Sequence, residues 1–512
     1  MKPSIFHNAL LLTGSNLAMR AVSMLFQAWL AGTVGAAGIG LLQLIMTVYG
    51  FALTLGTSGL RTAAMYLSAE EYGHGRLGGV RQAMGRCLIG GFLLSALVGS
   101  GLALLAPQLA RYWIKDIRAI PSLQLLGLTL PVSCLSSMLA GYFTACGKVR
   151  RLVFVELADR AATIILTVLL LRAGDSADLS HSCLSIVGGN ALACLGSVAI
   201  LLLFMLLDFR QTKPIPSLHM GKRLLRLCVP LALNEYLRSG LSTLEQFLIP
   251  HGLSRSGQSR EQAMSDYGTI QGMVFPVLMF PSTVLFALAD LLVPELARSR
   301  AEHNHDRTNH LIGTCLRMGG LYAAAIAGLL YALAEPLGRL IYGSSEAGVY
   351  LRLFSPLVVM LYLDCIVDGM HKGMGQQVYC VRVNTLTSFL DVVLLFLLLP
   401  SMGLDGFFLT FLVSHLINFY LSIRRLLQLT GLRLQLSFLL RTTLCVIAAS
   451  ALLTFLLPVS AGWPVVIAAS GVYLALLALL LLITGTWQEA DHRILCRTFR
   501  RGVDKSGDHL VG

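Results

Sequence analysis

Charge is what this chain has least of. Only 13% of its 512 residues are charged, and only 26 are acidic. An average soluble domain is about 25% charged, so an ordinary soluble fold is excluded. Intrinsic disorder is excluded too, because it needs low hydrophobicity and 55% of this chain is hydrophobic. The 11 cysteines are scattered, mostly in apolar runs, with no Cys-x-x-Cys among them. They read as small buried hydrophobes, and neither a zinc site nor a disulfide framework is indicated. No Walker A loop, Gly-rich phosphate loop or metalloprotease motif occurs, and no acid/base pair or nucleophile set appears. The chain is therefore not expected to be an enzyme, to hydrolyse ATP, or to need a cofactor. The run Glu302-His-Asn-His-Asp306 with His310 has metal-ligand residue types but reads as a solvated loop, so no metal is expected. Basic stripes interleaved with aromatics are also missing, so the net charge of +13 does not indicate nucleic acid.

What the chain does have is apolar length. A helix needs roughly 20 apolar residues to span a bilayer. Fourteen such segments can be read, at about 5–30, 40–66, 83–106, 123–145, 152–171, 183–207, 224–249, 268–296, 311–333, 349–370, 383–399, 404–421, 438–457 and 463–484. The first is too long for a signal-peptide core and contains Arg20. Numbering the segments splits the loop Lys and Arg residues into 25 on one side and 7 on the other. The positive-inside rule then puts both termini in the cytoplasm. The expected class is an all-α polytopic membrane protein of the cell membrane.

A weak internal repeat relates the first segment, Asn16-Leu-Ala-Met-Arg20, to the seventh, Asn234-Glu-Tyr-Leu-Arg238. It also relates Gly40-Leu-Leu-Gln43 to Gly268-Thr-Ile-Gln271. Both repeats would start inside. The expected organisation is an N-terminal lobe at 1–215, a C-terminal lobe at 216–430, a helix pair at 431–485 and a basic cytoplasmic tail at 486–512. Parallel six-helix repeats of this kind are an architecture of secondary transporters, with the site between the halves. Work would come from an ion gradient, of protons or sodium, or from the substrate's own gradient.

Charges inside apolar segments mark candidate function, because an Arg at a helix centre costs about 2.5–3.5 kcal/mol. Arg20, Arg61 and Arg238 suit a pyrophosphate or similar anion, since guanidinium is always charged and can bind bidentately. A cross-helix ion pair is the alternative for each. Glu156 and Arg160 share a helix face at i, i+4, and Glu235 lies at i−3 from Arg238; these read as ion pairs or cavity wall. Arg20 has no acidic neighbour on its own helix. Candidates for ion coupling are Glu245, Asp290, Asp364, Asp368 and Asp391, with Asp364, Asp368 and His371 on one helical face. Pro276 and Pro281 should kink the eighth segment and make it a bending, cavity-lining helix.

That eighth segment carries a resemblance. Tyr267-Gly-Thr-Ile-Gln-Gly-Met273, Phe280-Pro281, Ala287-Leu288 and Leu292-Val-Pro294 resemble the stage V sporulation protein B family. This is the polysaccharide-biosynthesis branch of the multidrug/oligosaccharidyl-lipid/polysaccharide (MOP) exporter superfamily, related to lipid II flippases and MATE transporters. Gly35-Ala-Ala-Gly-Ile-Gly-Leu-Leu-Gln43, Gly141-Tyr-Phe143 with Glu156 and Arg160, and Leu244-Glu-Gln-Phe-Leu-Ile-Pro250 resemble it more modestly. The likeness runs over 5–420. The sequence departs from the family at Ala140, at the basic turn Lys148 to Arg151, at the Leu60-Arg-Thr-Ala-Ala stretch and around Asp368 to Gln376. The resemblance implies two six-helix lobes and alternating access. It also implies a lipid-linked saccharide substrate such as a peptidoglycan precursor, contact with membrane lipids, and a place beside wall-synthesis enzymes. A cation-coupled small-molecule exporter and a non-transporting scaffold for those enzymes are the alternatives.

Overall fold

The protein is described from a computed structural model. It describes residues 3–57, 59–174, 178–210, 220–432, 436–456 and 461–486. The basic tail expected at 486–512 lies outside these residues but for its first position. In chain order the helices are α1 (Pro3–Thr57), α2 (Leu60–Gly73), α3 (Leu77–Gln108), α4 (Ile120–Ala145), α5 (Val149–Ala173) and α6 (Leu179–Asp208). There follow α7 (Met220–Arg255), α8 (Arg260–Tyr267), α9 (Phe275–Met279), α10 (Ser282–Ala301), α11 (His305–Tyr342) and α12 (Ser345–Phe354). The last are α13 (Val358–Gly373), α14 (Gln377–Met402), α15 (Leu404–Thr430), α16 (Leu436–Leu456) and α17 (Trp463–Ile483). No strand occurs among the described residues. In a bilayer a spanning segment must satisfy its own backbone, and a helix does so within one segment.

Breaks fall where the backbone chemistry allows them. Gly35 (φ 77°, ψ 168°) bends α1 in two, and Gly59 (φ 70°) separates α1 from α2. The segment read as 40–66 is therefore two helices. Ten helices of the described residues are long and apolar enough to cross a membrane, or eleven if the bent pair around residue 280 is one span. This is a multi-pass membrane protein. The expected fourteen exceeds that number at α1, which the bend at Gly35 divides, and at α5 and α7. The last two carry Glu156, Asp159 and Arg160, and Glu235, Arg238 and Glu245 respectively.

The chain forms two compact units, residues 1–283 with 381–417 and residues 284–380 with 418–512. In the first, α3 packs along α4 and α5 along α6. Leu67, Met84, Cys134, Met138, Tyr142 and Phe143 bury themselves at its centre. In the second, α11 packs on α16 and α17. Tyr473 is fully buried there and donates to the Ala325 carbonyl at 3.0 Å. Gly328 makes this possible, since a Cβ at that position would lie 2.4 Å from the Tyr473 hydroxyl oxygen. The ten described cysteines are all free and seven are buried, as small hydrophobes. Leu97 and Leu104 on α3 and Phe455 on α16 are exposed, as apolar side chains facing lipid should be.

α1 crosses the π-helical stretch Gly268–Val274 at backbone distance. A Cβ on Gly268 would sit 2.0 Å from the Ala36 carbonyl oxygen, and one on Gly40 2.3 Å from that of Met264. Each glycine thus meets the carbonyl four residues before the other. A two-fold relation between the repeated motifs requires that reciprocity. Small residues at such crossings are how membrane helices approach closely.

Candidate functional site

The family-like motif is built into this crossing. Tyr267 ends α8 and is fully buried, donating from its hydroxyl to Gln246 Oε1 at 2.8 Å. The π-helix follows, then α9, and the helix breaks between Met279 and Ser282. The two prolines expected to kink this stretch sit differently, and the bend of 57° falls at the second. Pro276 enters the first turn of α9, and Pro281 occupies the break. Pro276 has no N–H for the carbonyl four residues back, that of Gly272. Gln27 Nε2 of α1 donates to that carbonyl at 2.8 Å instead. Beyond the break the Ser282 hydroxyl donates to Met279 O at 2.6 Å and the Thr283 hydroxyl to Phe280 O at 2.7 Å. Arg20 Nη1 then donates to Thr283 Oγ1 at 3.1 Å. Arg20 and Gln27 are seven residues apart, so they share a face of α1. One face of α1 thereby holds the broken helix on both sides of its break.

A second polar feature lies among α1, α4, α5 and α6. A cavity of about 260 Å³ is lined by Met19, Ser136, Glu156, Asp159, Arg160 and Ser197, with apolar neighbours. Asp159 Oδ1 accepts from the Ser197 hydroxyl at 2.7 Å. Glu156 and Arg160, which could form an ion pair or a cavity wall, both stand at the wall and form no salt bridge with each other among the described residues. The opposite charge nearest in effect to Glu156 is Arg61, at the start of α2. Gly141 lets α4 press on that turn, its Cβ position lying 3.1 Å from the Arg61 carbonyl oxygen. Glu235 and Arg238 on α7 are likewise not joined by a salt bridge among the described residues. Arg20, Arg61 and Arg238 are all exposed.

The acidic candidates separate into two places. In the first unit Glu245 of α7 lies within electrostatic reach of Asp391 of α14, and Ser414 of α15 is within hydrogen-bonding reach of Asp391. In the second unit Asp364, Asp368 and His371 share a face of α13, but each has its own partner. Asn418 Nδ2 donates to Asp364 Oδ2 at 3.2 Å, while Asp364 Oδ1 is buried with no partner. Cys380 pairs with Asp368. His371 is fully buried and its Nε2 donates to Ser422 O at 2.9 Å. No group of three or more His, Cys, Asp or Glu side chains is placed to hold a metal among the described residues. Asp290 stands apart from both groups, exposed on α10.

Between the spans, a different chemistry holds two turns. Burial raises the Asp116 carboxyl, but side-chain and backbone hydrogen bonds from Arg118, with the charges of Arg118 and Arg260, outweigh it and hold the group below the usual carboxylate range. The departure from the family at Lys148 to Arg151 also has a structural role. Lys148 Nζ and Arg151 Nη1 bind Asp208 at 2.7 and 3.0 Å, and the Tyr142 hydroxyl donates to the same carboxylate at 3.2 Å. The α4–α5 turn is thus clamped to the end of α6.

The sequence pattern of the polysaccharide biosynthesis protein family matches residues 5–300. The chain belongs to that family. The likeness read at Tyr267 to Pro294 is therefore part of a match over more than half of the chain. Stage V sporulation protein B of Bacillus subtilis (strain 168) is 22% identical over 424 residues, covering 79% of this chain and 80% of that protein. The fold is that of the MOP superfamily. A multidrug resistance MATE family transporter of that superfamily, solved in an inward-facing conformation, superposes with a TM-score of 0.65 at 13% identity, over 81% of this chain and 96% of that one. A MOP superfamily transporter from Pyrococcus furiosus Vc1 (DSM3638), whose binding pocket has reversed polarity, gives 0.58 at 13% identity, over 82% and 95%.

Proposed function

We propose that this member of the polysaccharide biosynthesis family is a transporter that moves a lipid-linked saccharide across the cell membrane by alternating access. The observation that carries the reading is the charged cavity of Glu156, Asp159 and Arg160, which α5 sets against the apolar helices α1, α4 and α6 of a family concerned with polysaccharide biosynthesis. Charged groups at membrane depth are costly and stand where a polar path needs them. Arg20, Arg61 and Arg238 attract the pyrophosphate of the carrier lipid, and the sugar follows the polar wall. The two six-helix lobes, 1–215 and 216–430, rock around it, with 431–485 as the added helix pair and both termini in the cytoplasm. The broken helix at Pro281 is the bending element. Its hold on Arg20 through Thr283 makes that arginine both an anion contact and a sensor of the bend.

The transport is coupled to a proton or sodium gradient at Glu245, Asp391 and Ser414. Two carboxylates close together in a low-dielectric site need a proton or a cation to balance them. Asp290, Asp364 and Asp368 remain further candidates for the coupling ion. Wall-synthesis enzymes are the partners that would supply or use such a saccharide.

The test is reconstitution in liposomes with undecaprenyl-pyrophosphate-linked disaccharide-pentapeptide, scored by arrival of the saccharide in the opposite leaflet. Wild type is expected to carry it and Arg20→Ala to lose at least tenfold in rate while still inserting and folding. Equal rates would remove Arg20 from the path. No transport by folded wild type under either ion gradient would overturn the substrate class. The same gradient dependence with a small organic cation as cargo would then favour an exporter.

A further inference from the structure

A second cavity, of about 280 Å³, lies in the first unit and is lined by none of the groups assigned to transport. Lys115, from the turn after the π-helix Leu109–Ile114, lines it with His251 and Arg255 of α7 and Arg260 of α8. Lys115 Nζ donates to His251 Nδ1 at 2.9 Å. An ammonium cannot accept, so that ring nitrogen is unprotonated, the ring proton sits on Nε2, and the imidazole is neutral. The cavity therefore carries three positive charges, and no acidic side chain is among its lining residues. Asp116, the carboxylate beside them, is gripped at both oxygens by Arg118 at 2.7–3.1 Å. Arg260 Nη2 is positioned by the Ile114 carbonyl at 2.5 Å.

Three features set this arrangement apart. Like charges sharing a cavity repel one another. Lys115 adopts left-handed backbone geometry, φ 58° and ψ 26°, which costs a side-chain-bearing residue about 1–2 kcal/mol. Only His303 shares a positive φ with it among the described non-glycine residues. Finally, the face expected to lie outside retains only 7 loop basic residues, and 3 of those line this one cavity. Outer loops are depleted of Lys and Arg, so their convergence runs against the bias.

We propose that Lys115, Arg255 and Arg260 form a binding site for a phosphate or pyrophosphate group on this outer face. His251 orients Lys115, and Arg260 is held toward the anion by Ile114. A volume of this size admits such a group with several waters, at about 30 Å³ per water. Guanidinium forks and an ammonium are the donors that phosphate oxygens select. The group can belong to a lipid headgroup or to a free anion.

The experiment uses the untagged full-length protein in nanodiscs and measures binding without transport, so it stands whether or not the proposed substrate is right. One arm titrates inorganic pyrophosphate into protein in phosphatidylcholine discs by calorimetry. The other counts phosphatidylglycerol molecules retained in native mass spectra from mixed-lipid discs. Arg255→Gln removes an exposed charge. Lys115→Gly removes a charge while suiting the left-handed backbone, so both variants should fold, as melting curves check. Arg172→Gln, a basic residue of the same face outside the cavity, is the control. At least one arm should show binding that weakens tenfold or more in Arg255→Gln and Lys115→Gly and is unchanged in Arg172→Gln. Pyrophosphate binding identifies a free anion; retention of phosphatidylglycerol alone identifies a headgroup. Absence of both, persistence of binding in the two variants, or equal loss in Arg172→Gln overturns the site.

Discussion

At the residue scale, the balance at Asp116 gives a pH test. Its folded carboxyl titrates below the usual value of about 3.9 because Arg118 and Arg260 favour the charged form over the opposing effect of burial. The stability it contributes is present above the unfolded value and is lost as pH falls through the lower folded value. Asp116→Asn should therefore be less stable than wild type at neutral pH, by about 1 kcal/mol or less, because the arginine of the pair is exposed to solvent screening. The two melting curves should converge in acid below the carboxylate range. A difference that persisted there would assign the effect to packing. The sequence exposed the residues whose charge was out of place: Arg20, Glu156, Arg160, Glu245 and Asp391 all stood out in apolar runs. It could not reveal Gln27, Ser197 or Thr283. Uncharged polar residues carry no penalty large enough to flag them, and only the fold says which carbonyl or carboxylate they meet. Lys115, Arg255 and Arg260 were visible, but loop charges read first as topology.

At the scale of single elements, the broken helix depends on its neighbour. Gln27→Leu would leave the Gly272 carbonyl without the donor that replaces the Pro276 N–H. An unsatisfied buried acceptor costs about 1–3 kcal/mol, so the variant should melt lower and exchange amide hydrogens faster over 268–283. Unchanged exchange there would mean water serves the carbonyl as well. Gly268→Leu is expected to be more damaging, since its Cβ would overlap the Ala36 backbone oxygen. Backbone cannot swing aside as a side chain can, and overpacking typically costs about 1–3 kcal/mol or more. Poor yield of folded protein in the membrane would report it, with Gly471→Leu as the control where nothing lies within 4 Å. Most element positions were readable because apolar length alone sets a spanning helix. Two of the failures share a cause. Gly59 splits a segment through a left-handed backbone that hydropathy does not register, and the π-helix of Gly268–Val274 looks like ordinary helix in sequence.

For the whole molecule, the question is how chemistry at one place drives movement. If Glu245 and Asp391 share a proton or sodium ion, neutralising either should uncouple transport from the gradient. Glu245→Gln and Asp391→Asn should each lose at least tenfold in gradient-driven transport, and the double variant should lose little more than either, since groups acting as one unit are not additive. Additive losses would separate their roles. The family assignment rests on residues 5–300, the stretch that contains both the charged cavity and the crossing of α1 with the π-helix. That crossing has a consequence for the history of the chain. Gly40 and Gly268 occupy matching places in a repeated motif and touch each other's neighbouring backbone. In an ancestor made of two identical half-length chains, such a position would have faced its own copy, and any side chain gained there would have collided from both directions at once. If the two halves descend from such an ancestor, the rest of the sequence has since diverged, Ala36 filling in one half the place that Met264 fills in the other, while glycine stands at the point of contact in both.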